Sequence, residues 1–130
     1  MADLLECLIQ LKALEHSIAR LERFETATPA SRRADVDAVL DRLLEAERAY
    51  ADALPGSRRP PQTEATAPRV GRFAAARRAT LGVLQRHSAE ELGSAVRWPG
   101  RPLTSTADLI AIMLAHDTER IGEIQRLVRR

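Results

Sequence analysis

Aromatic side chains make up only 3% of this 130-residue chain, and they are Phe24, Tyr50, Phe73 and Trp98. A β-sandwich or barrel core leans on aromatic and β-branched side chains, so that class is excluded. Single-stranded nucleic-acid platforms are disfavoured for the same reason, since bases need aromatic faces to stack on. Cysteine is nearly absent too. Cys7 stands alone, so there is no disulfide scaffold. Lying in an apolar stretch beside Glu6, it reads as a small core residue rather than an activated thiol. No apolar run approaches the length of a membrane span. The start MADLLECLIQ lacks the basic opening and unbroken apolar core of a signal peptide, so the expected location is cytoplasmic.

What is present is leucine, alanine and charge. The chain is 45% hydrophobic and 29% charged, the proportions of an ordinary globular protein, and its length suits one domain. Leucine and alanine favour helices, so the expected fold class is all-α. The net charge of +2 conceals a gradient: residues 1–55 carry seven basic and eleven acidic groups, and residues 56–101 carry nine and three. No nucleic-acid recognition motif accompanies the basic middle, so a nucleic-acid partner is not expected; it reads as a complement to the acidic first part or as a solvated face.

Apolar spacing predicts four helices, over residues 3–25, 34–54, 70–87 and 105–128, with a proline-rich linker at 55–68. In the first, Leu4, Cys7, Leu11, Leu14, Ile18 and Leu21 step by three and four from a possible N-cap at Asp3. Its outer face is not apolar enough to demand a partner. In the second, Val36, Leu40, Leu43, Tyr50 and Leu54 form the stripe. Ser88 and Glu91 have the spacing of a capping box, which starts a short helical turn. The segment with Trp98 and its prolines is expected to fold back as a loop. The last helix starts after Thr104 or Ser105 and carries a seam of Leu109, Ile112, Met113, His116, Arg120, Ile124 and Leu127. Each helix is apolar on one side only, so the economical arrangement is a single four-helix bundle spanning residues 1–130.

Polar residues that interrupt these stripes locate the candidate site. Glu47 interrupts the second stripe and needs a buried partner. Arg77, expected to face inward between Phe73 and Leu81, is one candidate; Arg78 and Arg120 are others. A structural Glu47–arginine pair is the favoured reading. His116 and Arg120 lie one turn apart, the spacing by which a helix supplies two ligands to one site, but a guanidinium has no lone pair for a metal. His16 lies off its stripe, and His87 stands at a helix end where it can meet the carboxyl-terminal dipole.

Three segments resemble the DinB/YfiT-like four-helix-bundle family. VDAVLDRLLEAERAYADAL is similar to its second helix, with the pattern V-L-x-H-L-x-x-x-E-R. RFAAARRATLGVLQRHSAEELGSAV is similar to the third helix and following turn, and LTSTADLIAIMLAHDTERIGEIQRL to the last, with H-D-x-x-H-x-x-Q-I. The resemblance implies up-down-down-up topology, frequent dimerisation, and a divalent metal held by three histidines. Some relatives are transferases or isomerases that use low-molecular-weight thiols. Position by position, the ligand sites fall on Arg42, His116 and Arg120, so only His116 survives as a ligand.

The expected function is therefore a bundle without the usual metal site or other cofactor, non-catalytic, binding a small ligand or a partner as a homodimer. Arg42, His116, Arg120, Glu47 and Arg77 are its candidate binding residues, and converging guanidiniums would suit a small anion. Asp41, Glu45 or Glu119 are placed to neutralise them instead. The alternative is a thiol-dependent transferase or isomerase holding zinc or nickel through His116 and carboxylates such as Glu47, Asp117 or Glu123. A metal-free acid–base enzyme using His116 lacks, in sequence, any group to orient that imidazole.

Overall fold

A computed structural model describes residues 4–54, 68–96 and 104–129. Asp3, residues 55–67 of the expected linker and Trp98 lie outside the described residues.

Four long helices account for most of the fold: α1 (Leu4–Ala27), α2 (Arg33–Ala53), α3 (Arg69–Gln85) and α5 (Thr106–Arg129), with a one-turn α4 at Ala89–Leu92. The chain is an all-α helical bundle, as expected. The observed ends differ from the predicted ones by one or two residues. At the α1 end, Pro29 stops the helix, and the Thr28 hydroxyl donates to the Phe24 carbonyl, satisfying one of the orphan acceptors there. A 3₁₀ turn at Ala30–Arg32 then leads directly into α2.

The capping box forms as predicted: Ser88 Oγ accepts from the Glu91 amide at 3.1 Å, and the Glu91 carboxylate accepts from the Ser88 amide at 3.0 Å. The same reciprocal arrangement begins α5, where Ser105 Oγ accepts from the Asp108 amide at 3.0 Å. The segment expected to be irregular contains a short ladder instead. β1 (Ala95–Val96) pairs antiparallel with β2 (Thr104–Ser105), Ala95 opposite Ser105. The Thr106 amide continues it by donating to the Ser94 carbonyl at 3.0 Å. Two residues per strand are too few for a periodic sequence signal.

α1 packs on α3 and α5, and α2 packs on the same two helices, so the bundle is a ring in the order α1–α3–α2–α5. Partners on α2 and α3 rise together in number, Asp41 with Arg69 and Glu47 with Arg77. Those on α2 and α5 run oppositely, Arg42 with Glu123 and Tyr50 with His116. Cys7, Leu11 and Leu14 cluster with Leu109, Ile110 and Met113, while Ile18 and Leu21 cluster with Ile121 and Ile124. α1 and α5 therefore point one way and α2 and α3 the other.

The core falls into two apolar clusters. One holds Leu14, Tyr50, Leu54, Leu81, Leu84, Ile110 and Met113, closed at its end by Leu92 and Val96. The other holds Ile18, Leu21, Leu40, Leu43, Phe73, Ile121 and Ile124. Between them, in sequence and in space, lies a layer of three buried charged residues: Glu47, Arg77 and Asp117. Cys7 is buried in the first cluster, as its apolar context predicts.

Two expectations are corrected by the packing. The α5 seam is rotated by about one residue, so that Leu109, Ile110, Met113, Asp117, Ile121 and Ile124 face inward, whereas Ile112, His116, Arg120 and Leu127 are only half-buried. α5 meets both α1 and α2, and the residues that best bisect those neighbours take the core. The outer face of α1 also differs: Leu4, Leu5, Leu8 and Ile9 are exposed, with Leu5 and Ile9 above 60%. Leu4 therefore lies outside the core.

Candidate functional site

The residues singled out by sequence separate into a buried layer and an outer row along the α2–α5 seam. The buried layer joins all four long helices through Arg77 of α3. Its Nε–H is shared between both oxygens of Glu47 on α2, each at 2.9 Å. Nη1 donates to Asp117 Oδ2 of α5 at 2.7 Å and to the Leu14 carbonyl of α1 at 3.1 Å. Nη2 donates to Asp117 Oδ1 at 2.8 Å. The guanidinium carbon lies 4.8 Å from the centre of the Phe73 ring, close enough for a cation–π contact.

Removing a guanidinium from water costs several kcal/mol unless its donors are used, and here they are used well. Burial works to lower the Arg77 pKa, and the bonds to Asp117 and the charge of Glu47 outweigh it, so the group stays charged. The two carboxylates are not equivalent. Asp117 receives the two parallel bonds of the guanidinium fork, the stronger geometry. Glu47 shares one N–H, and burial pushes its carboxyl up to about 7, with Arg77 opposing and the Asp117 charge adding to the rise. A buried carboxyl served by one shared N–H is costly to ionise, which is why Glu47 holds its proton to a higher pH than an exposed glutamate.

Of the other buried polar side chains among the described residues, Thr106 donates across the short ladder to the Ser94 carbonyl, and two satisfy themselves within their own helices. Ser17 donates to the Ala13 carbonyl and Thr80 to the Ala76 carbonyl.

The outer row begins with His116, whose Nδ1 lies 2.6 Å from the Tyr50 hydroxyl, with the rings stacked at 29°. Tyr50 is buried. Desolvation and the nearby Glu47 and Asp117 charges raise its pKa, so the phenol keeps its proton. This is the orienting partner for His116 that sequence alone did not supply. Further along the seam, Arg42 of α2 donates to Glu123 Oε1 at 3.0 Å, and Arg120 of α5 donates to Glu123 Oε2 at 3.2 Å. Burial would raise the Glu123 carboxyl, but the two arginine bonds hold it below the usual range. All three side chains remain about one-third to one-half exposed.

Glu47 and Arg77 are thus brought together, with Arg77 rather than Arg78 or Arg120 as the partner. Arg78 faces outward toward Glu22. Arg42 and Arg120 do converge, on Glu123 and not on Asp41, Glu45 or Glu119. Asp41 pairs with Arg69 instead. His87 turns back onto its own helix, its Nδ1 2.8 Å from the Val83 carbonyl. His16 is exposed. The residue whose structural role sequence reasoning missed is Asp117. Its signal was present, because Met113, Asp117 and Ile121 step by four just as Ile112, His116 and Arg120 do.

The three positions that the family resemblance assigns to metal ligands do not fit a metal. Arg42 and Arg120 offer no lone pair and carry positive charge, and both are engaged by Glu123. Among the described residues, no three His, Cys, Asp or Glu side chains are grouped to hold a metal ion. No helix among them is long and apolar enough to cross a membrane. No protein-family model, curated protein or solved structure matches the chain.

Proposed function

We propose that the chain is a DinB-like bundle that works in the cytoplasm as a non-catalytic binding protein, taking a small anionic ligand or a partner on the α2–α5 seam. The observation that carries this reading is the convergence of Arg42 and Arg120, from two helices, on the single carboxylate of Glu123. Two guanidiniums against one carboxylate leave one positive charge on a half-exposed face. That charge favours an anion and opposes the divalent metal that the family resemblance would place there. Homodimerisation is supported by the exposed Leu5, Leu8 and Ile9 on one face of α1, a patch that association would cover.

Elemental analysis of the purified protein, paired with thermal-shift measurements against zinc, nickel, phosphate and acetate, tests this. Stabilisation by the anions with no stoichiometric metal is expected. One metal per chain, with metal-dependent stabilisation lost in His116→Ala, would replace this reading with the metal-dependent thiol transferase or isomerase.

A further inference from the structure

We propose that the α2–α5 seam is an oxyanion site whose resting occupant is the protein's own Glu123 carboxylate. A carboxylate or phosphate ligand binds by displacing it, and this rests on the seam being the ligand site. Glu123 already shows how an anion is held: Arg42 takes one carboxylate oxygen and Arg120 the other. Each guanidinium has five N–H donors and spends one on Glu123, so an incoming anion finds further donors on both.

The third contribution comes from His116, one helical turn before Arg120 on the same face of α5. In the tautomer in which Nδ1 accepts from the Tyr50 hydroxyl, 2.6 Å away, the ring proton sits on Nε2. Nε2–H is then a donor.

The row therefore presents N–H donors from His116, Arg120 and Arg42, with Glu123 as its acceptor. Rotation of the Glu123 side chain toward solvent would open it. The displaced carboxylate loses two charge-assisted bonds, which the ligand replaces in kind, so affinity is set by the difference and is weak in the resting protein. A ligand oxyanion with three or more oxygens makes more bonds than Glu123 can, and phosphate should exceed acetate.

Calorimetric titration of inorganic phosphate and of acetate at pH 7 tests the inference on the wild-type chain, Glu123→Gln, Glu119→Gln and Arg42→Gln/Arg120→Gln. Glu119 is exposed on the same helix, so Glu119→Gln makes the same change in net charge without freeing the arginines. Glu123→Gln should bind phosphate roughly five- to tenfold more tightly than wild type, the release of about 1 kcal/mol of internal competition. Glu119→Gln should bind as wild type, and the double arginine variant should not bind. Nitrogen-15 shifts of His116 should report the Nε2–H tautomer. Equal gains in Glu123→Gln and Glu119→Gln, or no gain in either, would overturn the internal-occupant inference while wild-type binding lost in the arginine variant still upholds the anion site. If no variant binds either anion, both readings fall.

Discussion

Arg77 grips Asp117 with two parallel hydrogen bonds of 2.7 and 2.8 Å, the end-on geometry that a guanidinium and a carboxylate share. With that fork taken, both Glu47 oxygens share the single Nε–H, and the buried layer holds one base against two unequal acids. The first consequences concern stability.

Arg77→Met should destabilise the bundle by about 3–5 kcal/mol, since it strands two carboxylates in a dry layer. Asp117→Asn should cost nearly as much, because it weakens the better half of the pair. Glu47→Gln should cost less than about 1 kcal/mol at neutral pH, as its carboxyl already carries a proton part of the time. Urea unfolding of the three variants gives the ranking, and a Glu47→Gln loss as large as that of Asp117→Asn would refute the assigned asymmetry.

The pH dependence follows with a definite sign. In the unfolded chain Glu47 titrates near its ordinary 4.5, and in the fold near 7, so the folded state binds the proton more tightly between those values. The stability this proton confers is full below about 4.5 and is lost as pH rises through about 7. Glu123 and Glu91 are both held below the ordinary range, so they act in the opposite sense and only at lower pH. Unfolding free energy measured from pH 4.5 to 8 should fall more steeply with rising pH in the wild type than in Glu47→Gln. Identical profiles would remove Glu47 as the linked group.

Leu14 and Phe73 are fully buried on opposite sides of the charged layer. Leu14→Ala should cost about 2–5 kcal/mol through lost transfer energy and the cavity left behind. By contrast Lys12→Gln should leave the melting temperature within a few degrees, because Lys12 is exposed and lies outside the apolar patch of α1. Differential scanning calorimetry separates the two.

Exposed apolar residues on α1 make association a solution property that can be measured. Ile9→Glu with Leu8→Glu should shift a dimer to monomer in light scattering while leaving helical circular dichroism intact, since neither side chain contributes to the core. An unchanged mass in the variant would place any dimer contact elsewhere.

Ser88→Ala removes the hydroxyl that accepts from the Glu91 amide, and loss of such a cap costs about 1 kcal/mol. Chemical denaturation should show a loss of that size. The loss of the Ser105 hydroxyl at the head of α5 should be similar, because the geometry is repeated there.

Much of the fold was legible because it is local. Leucine and alanine spacing marks four helices, proline at 29 and serine at 88 and 105 mark where they stop and start, and an amphipathic helix must bury its stripe. Glu47 and Arg77 stood out as intruders on those stripes, so their pairing could be anticipated. The rest was decided by how the helices meet. On α5, Met113–Asp117–Ile121 and Ile112–His116–Arg120 are neighbouring rows of equal spacing, and periodicity cannot rank them. Packing between α1 and α2 chose the first row for the core, which buried Asp117 against Arg77 and turned His116 toward Tyr50 and Arg120 toward Glu123. Sequence by itself set the fold class and the odd residues on the stripes. Only the tertiary structure, through the rotation of each helix about its own axis, decided which charges share the dry centre and which form the outer row.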